Sequence, residues 1–289
     1  MLKKIPVILF VSVMLIFTAV HAFAYEVDYR MYGEAVKSLH IPIPSIMYHK
    51  ITDNPAEVTD YVVTKKTLED DFAEIKVRGY TPITIEKFYE LKKMAKSMFI
   101  DDNYKKLASF FKENPKPIII TVDDGYKGIY TYMLPVMKEY GYKASFYICG
   151  ELIDKQNPEY CSWEDIRLLN ESGLAEIGNH TYSLHSKSKE ELEKFYETSF
   201  DSAIADLREN DRVIEFNTGV KTVSVSYPYG QYDDLVGGKM RVAGYEKTVS
   251  TDYRVNKISD KNIPVGRFNR PASFTTKEFF DMVDEKCGR

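Results

Sequence analysis

An α/β fold built on a parallel sheet is predicted for this chain by three observations. Short β-rich runs alternate with helical patterns at intervals of about 25–40 residues, the rhythm of strands joined by helical crossovers. Several of these runs end in polar residues: His49, Asp123 and Asp124, His180, and Tyr227 and Tyr229. The length suits one barrel-like or open-sheet domain. A barrel-like sheet would gather such strand ends at one face, where these folds carry their chemistry.

The elements follow in order. Lys3 and Lys4 precede an uncharged run from Ile5 to Val20, and Ala22, Phe23 and Ala24 form an A-x-A pattern before Tyr25. That is the layout of a secretory signal peptide over 1–24, which leaves one domain over 25–289 and predicts a secreted or cell-envelope protein. The run is short for a membrane span of about 20 residues, and an uncleaved anchor is the alternative. Residues 25–41 read as a polar lead-in, and Ile41 to His49 as a short strand ending in a histidine. Leu68, Phe72 and Ile75 fall at spacings of four and three and predict a helix from Lys65 to Arg78. Thr84 is a candidate cap for a helix from Ile85 to Met94, although Lys87 stands where a capping-box acid would. Asp101 to Glu113 reads as a further helix or an insertion. Pro117 to Val122 is a strand. Ile129 to Tyr140 is a helix with a kink expected at Pro135 and a stop at Gly141. Lys143 to Cys149 is a strand, Ser162 caps Trp163 to Ser172, and Gly173 ends that helix. Leu174 to Ile177 leads into the histidines. Lys187 to Glu209 reads as one long charged helix. Thr222 to Ser226, Lys247 to Ser250 and Ile263 to Phe268 read as strands, and Leu235 to Ala243 and Lys277 to Val283 as helices.

The formal charge of −4 becomes −6 once Lys3 and Lys4 are removed. A mildly acidic chain without a basic stripe is a poor candidate for nucleic-acid binding. Cys149, Cys161 and Cys287 do not make a disulfide scaffold. A Cys149–Cys161 bridge after export and two buried thiols are equally compatible with the spacing.

The chemistry concentrates in two segments. Asp123 and Asp124 close the strand from Pro117, and Gly125 turns the chain away. Neighbouring strand side chains point to opposite faces, so the two acids can do different jobs. Asp-Gly is also a common turn dipeptide, but two adjacent like charges repel and a cation relieves that repulsion. His180 and His185 stand five apart. That spacing does not stack side chains on a helix as four would, and it suits a loop wrapped around a metal. One Asp and two His form a common set for a catalytic divalent ion, which leaves the other Asp as a base. Surface histidines would look the same in isolation. Yet the chain has only five, His21 lies in the leader, and His49, His180 and His185 all fall at or after strand ends. Tyr227, Pro228, Tyr229 and Gly230 read as a tight turn, or as tyrosines set to stack on sugar rings. Twenty-two tyrosines tilt the surface toward such ligands. Trp163, the only tryptophan, reads as a helix packing residue.

Together these segments resemble the polysaccharide deacetylases with the NodB homology domain, carbohydrate esterase family 4, over about residues 41–270. Thr121 to Tyr126 is similar to the family's T-F-D-D-G motif, His180 to His185 to its second motif, and Tyr227 to Gly230 to its third. Lys143 to Ile148, Trp163 to Arg167 and Gly173 sit where members carry similar text. The resemblance implies a distorted (β/α) barrel and a metal-dependent hydrolase. Asp123 would be the catalytic base, and Asp124, His180 and His185 would hold one divalent ion. Zn²⁺ is the first choice, with Co²⁺, Ni²⁺, Mn²⁺ or Fe²⁺ as alternatives. Three departures narrow the match. The histidines are five rather than four apart, Ser226 stands where most members carry Arg, and no His follows His185. The circularly permuted branch of biofilm poly-N-acetylglucosamine deacetylases, PgaB and IcaB, shares all three. There the acid histidine comes from an early segment, to which Ile43 to His49 is similar, so His49 would inherit that role. Arg267 is the candidate for orienting the base, with Arg254 and Arg270 as alternatives. Tyr126, through its backbone N–H, Pro228 and Tyr229 would contact the substrate. The activity implied is N-deacetylation of a β-linked N-acetylglucosamine polymer. Peptidoglycan, chitin oligomers, acetylated xylan, or glycan binding without catalysis are the alternatives.

Overall fold

The computed structural model describes residues 28–261 and 263–289. The expected leader lies outside them, as do residues 25–27 of the lead-in. Within the rest of that lead-in, for which the sequence predicts no element, residues 28–38 form helix α1. Ala35 is fully buried, and Met31, Tyr32, Val36 and Leu39 pack against the same cluster, an apolar stripe at helical spacing.

The strands are β1 (Ser45–Tyr48), β2 (Lys50–Thr52), β3 (Val62–Thr64), β4 (Thr81–Ile83), β5 (Pro117–Val122), β6 (Ala144–Ile148), β7 (Ala175–Asn179), β8 (Val225–Ser226), β9 (Thr248–Val249) and β10 (Phe268–Asn269). Eight of them form one sheet in the order β10-β1-β5-β6-β7-β8-β9, with β4 also on β5, while β2 and β3 pair separately. Every pairing is parallel. Val249 also bridges Val265 just ahead of β10, so the far edge returns toward the near one and the sheet curls into a partial barrel.

Between the strands run α2 (Lys65–Val77), α3 (Ile85–Lys96), α4 (Asn103–Glu113), α5 (Leu134–Tyr140), α6 (Gly150–Asp154), α7 (Trp163–Glu171), α8 (Lys189–Thr198), α9 (Phe200–Thr218), α10 (Asp234–Val242) and α11 (Thr276–Lys286). Thr84 does cap α3, accepting from the Lys87 N–H, and Ser162 closes a full capping box with Asp165 on α7. Trp163 packs against the main core and donates to Asp154 at 2.8 Å. Cys149 and Cys161 are separate buried thiols.

Three expectations need correction. The charged stretch from Lys187 is two helices, α8 and α9, parted at Ser199. Thr198 and Ser199 are indifferent helix formers, and the bend lets Tyr196 on one side and Ala203, Ile204 and Leu207 on the other face one apolar cluster. The helix from Ile129 has no simple kink at Pro135. It opens with a wide turn, Ile129–Met133, in which the Leu134 N–H reaches back five residues to Ile129. The late strands are short. Pro264 lacks a donor, so pairing there reduces to the Val265 bridge before β10 begins at Phe268. β2, β3 and β4, only three residues each, carry too little pattern to be read from sequence.

Strand parity decides what faces where. Ile118, Ile120 and Val122 of β5 point to the cluster under α2, α5, α7 and α11. Ile119 points the other way and meets Tyr147, Val249 and Val265 inside the curl. Thr121 and Asp123 share the parity of Ile119, so the first acid of the pair enters the barrel interior.

Candidate active site

The register of the sheet assembles the polar strand ends. Tyr48 of β1 pairs with Val122 of β5, which sets His49 beside Asp123. Asn179 of β7 pairs with Ile148 of β6 and Val225 of β8, which brings His180 up beside them. Met47 pairs with Asn269 of β10, and Arg267 precedes that strand. A cavity of about 620 Å³ opens over these ends, walled in part by His49, Asp123, Asp124, His180, His185 and Arg267.

Asp123 is buried with Arg267, which is 1% exposed, so neither charge has water to rely on. The guanidinium grips both carboxylate oxygens, Nη1 to Oδ1 at 2.7 Å and Nη2 to Oδ2 at 2.8 Å. Its remaining donors reach Ser250 O at 2.8 Å, Ser226 Oγ at 3.0 Å and Thr121 Oγ1 at 3.3 Å. Ser226 also donates to Asp123 Oδ2 at 3.3 Å. The serine that stands where most of the resembled family carry Arg thus packs against an Arg arriving from another strand. Burial disfavours the Asp123 anion, but Arg267 and then His180 outweigh it and hold the carboxyl well below the usual carboxylate range. The two other candidate arginines are engaged elsewhere. Arg270 makes a buried fork with Asp71, at 2.7 and 3.0 Å. Arg254 donates to the Pro264 carbonyl and lies 3.5 Å from Asp260.

Asp124 leaves the strand in a left-handed conformation, φ 73, which turns its side chain away from that of Asp123. Gly125 follows at φ 85, a conformation that suits its lack of a Cβ. Asp124 Oδ1 lies 3.5 Å from His180 Nε2 and 3.6 Å from His185 Nε2. These three side chains offer ligand atoms all within 4.8 Å of one another. His180 Nδ1 is 2.9 Å from the Ser226 carbonyl, so Nδ1 carries the proton and the Nε2 lone pair faces the carboxylate. Burial pushes His180 down to about 4, so it is neutral at pH 7. Asp124 Oδ1 is buried with no hydrogen-bond partner. An orphaned buried acceptor costs about 1–3 kcal/mol, and facing it with two imidazole nitrogens makes sense around a cation. The donor set of one carboxylate and two imidazoles fits a divalent transition metal.

His49 stands across the cavity, its ring edge-on to Tyr61 with centroids 5.0 Å apart. Burial lowers its pKa, and Asp123 and Asp124 only partly oppose this. Tyr126 stacks on Tyr160 at 4.8 Å. Around that contact the ladder bonds run from Cys161 N to Gly125 O and from Lys127 N to Glu159 O. Tyr126 therefore occupies the non-bonded position of the pair, and its N–H points away from Tyr160. Tyr229 sits at φ 55, 39% exposed, with its ring 4.6 Å from that of His185 and its hydroxyl donating to the His185 carbonyl at 3.0 Å. Pro228 is buried behind it, and the wall of the cavity is made by Tyr227 and Tyr229 instead. Tyr61 and the Thr121 and Ser226 hydroxyls escaped the sequence reading. Thr121 was within its reach, because it shares the face of Asp123.

Comparison with known proteins adds to this geometry. Residues 112–248 match the family model described as polysaccharide deacetylase. A Staphylococcus aureus protein named poly-beta-1,6-N-acetyl-D-glucosamine N-deacetylase is 26% identical over 215 residues, 70% of this chain and 69% of that one. YxkH of Bacillus subtilis is 25% identical over 210 residues, and the chain spans 64% of its length. The Escherichia coli protein of the same name as the staphylococcal one is 23% identical over 161 residues, and only 21% of it is spanned. The fold resembles that of IcaB from Ammonifex degensii, with a TM-score of 0.63 at 18% identity over 86% of this chain and 97% of that one. Streptococcus pyogenes deacetylase PplD, solved in complex with acetate, gives 0.63 at 17% identity over 83% and 97%.

Proposed function

We propose, on the match of residues 112–248 to the polysaccharide deacetylase family model, that this chain is a secreted, metal-dependent N-deacetylase of a β-linked N-acetylglucosamine polymer. Poly-N-acetylglucosamine is the substrate we put first, on the names of the Staphylococcus aureus and Escherichia coli relatives and on the resemblance of Ile43 to His49 to the early segment of that branch. The observation that carries the chemistry is the arrangement of two acids with separate partners. Asp123 is forked to Arg267, and Asp124 faces two imidazoles with an unpaired oxygen.

Asp124, His180 and His185 would hold the ion, Zn²⁺ in the first place. Bound there, it would supply Lewis acidity, lowering the pKa of water and polarising the acetyl carbonyl. Asp123 accepts a proton from the attacking water. The Arg267 fork keeps that carboxylate ionised and aims it. The water oxygen bonds to the acetyl carbon, and the Tyr126 N–H, which points away from Tyr160, donates to the oxygen that gains charge. His49 delivers a proton to the departing nitrogen as the C–N bond breaks. The products are acetate and a free amine. Burial lowers the pKa of His49, so the ring must gain a proton before it gives one, and over the turnover the proton that Asp123 takes from the water balances the one His49 delivers. Tyr229 and Tyr126 offer rings to the sugar. Export rests on the A-x-A pattern before Tyr25.

The test is released acetate from poly-N-acetylglucosamine, chitopentaose and peptidoglycan side by side, with zinc-reconstituted protein and Asp123→Asn as the control. Acetate chiefly from the first, abolished in the control, supports the proposal. Acetate only from another polymer reassigns the substrate. Acetate unchanged in the control overturns the base assignment.

A further inference from the structure

Of the two histidines facing Asp124, only His180 is fixed by the sheet. Its N–H bonds to Ile148 O at 3.0 Å and its ring to Ser226 O at 2.9 Å. His185 comes five residues later, after Thr181 at φ 69 and within a single 3₁₀ turn, Leu184–Ser186. A loop of that length does not hold a ligand unaided. We propose that Asp206 of α9 is a positioning residue for the metal triad, clamping the loop that presents His185. This rests on the metal-site reading above and deepens it.

The clamp is specific. Asp206 Oδ1 accepts from the Tyr182 N–H at 2.7 Å, and Oδ2 accepts from the Ser183 N–H at 3.0 Å and the Ser183 hydroxyl at 2.6 Å. One carboxylate thus satisfies three donors in the two residues that start the turn to His185. One helical turn further along α9, Asn210 ties the same region from below. Its amide donates to Asn179 Oδ1 and to Ile148 O, both at 2.8 Å, and accepts from the Gly150 N–H at 2.9 Å. Asn179 Oδ1 in turn accepts from Thr181 N at 2.7 Å. Asp206 and Asn210 are four apart, so one face of α9 holds both ends of the loop's first half. On the far side Leu184 is buried in the cluster shared with Leu207 of α9. Asp206 lines neither the main cavity nor the smaller one beside Asp124. Any influence it has on chemistry passes through the loop it holds, from Tyr182 to His185. The bend at Ser199 is what aims this face of α9 at the loop.

The experiment measures zinc affinity by competition with a chromophoric chelator, together with the visible absorption of the Co²⁺-loaded protein. Asp206→Ala should weaken zinc 10–100-fold, the usual effect of losing a residue that orients a ligand, and alter the Co²⁺ bands. Asp206→Asn keeps one acceptor oxygen and should fall between. In a His185→Ala background the Asp206 substitution should change zinc affinity less than about twofold, because the ligand it positions is gone. Wild-type protein that binds no zinc overturns the metal site and this inference with it. Wild-type protein that binds zinc, with Asp206→Ala and Asp206→Asn binding equally tightly and showing unchanged Co²⁺ bands, overturns the clamp alone. An undiminished 10–100-fold loss in the His185→Ala background overturns it too, because the effect would then be general loosening of the fold.

Discussion

Replacing Arg267 with Met is the sharpest probe of how the two acids are kept distinct. The substitution keeps an unbranched side chain and removes five hydrogen bonds, to Asp123 twice, Ser226, Thr121 and Ser250. It strands a buried carboxylate, and breaking a buried pair from one side costs about 3–5 kcal/mol. Set against a typical total of about 5–15 kcal/mol, that loss is severe but survivable. The sign with pH follows from the shift. In the wild type Asp123 is held below its unfolded value, so its contribution is complete above the unfolded carboxylate range and is lost as pH falls through the folded pKa. Without Arg267, burial is opposed by the weaker pulls of His180 and His49 and raises the folded pKa instead. The stability lost by Arg267→Met should therefore be largest at pH 7 and smaller at pH 5, where more of Asp123 can protonate. Urea unfolding of both proteins at the two pH values reads this directly. Arg267→Lys keeps a charge without the fork and serves for kinetics. It should lose about 10²-fold or more in kcat with zinc stoichiometry intact, and the acid limb of its pH profile should move upward. Equal destabilisation at both pH values, or a Lys variant with wild-type kcat and acid limb, would refute the reasoning.

His49→Gln should retain zinc and lose about 10²–10⁴-fold in kcat, the range for removing a general acid; metal analysis alongside steady-state acetate release checks it. Asp124→Ser should abolish zinc binding yet leave the metal-free melting temperature unchanged or raised, since it removes an unpaired buried acceptor. Scanning fluorimetry with and without chelator separates the two effects. His180 lies below its unfolded value of about 6.5, pushed down to about 4. Its share of metal-free stability is full above pH 6.5 and fades toward pH 4, and His180→Asn should flatten that part of the melting profile. Tyr229→Ala should raise KM for the polymer more than it lowers kcat, because its ring faces the cavity while its hydroxyl steadies the His185 backbone; substrate-saturation curves decide.

What the sequence determined by itself was local. Alternation along β5 assigns Asp123 to the face of Ile119 and Thr121 before any fold is known, because strand parity is a property of the backbone. The Asp-Asp-Gly turn, the rare histidines and the Ser162 cap are equally local signals. Their gathering at one end of a parallel sheet follows from the fold class. The tertiary structure decided the long-range choices. Three arginines near the C-terminus had similar claims on Asp123. Arg267 reaches it because β10 pairs with β1 in one register, and a shift of that register would present a different side chain. Arg270, three residues on, falls on the helix-facing side and pairs with Asp71. Asp206 carried no signal at all in a charged helical stretch, since its role depends on where the bend at Ser199 points α9. α1 reads as part of a polar lead-in because its narrow apolar stripe has meaning only against the cluster it shares with α3 and α4. Propensity and parity act over a few residues, whereas register and helix placement are set by burying the whole sheet at once, and only the folded chain solves that problem.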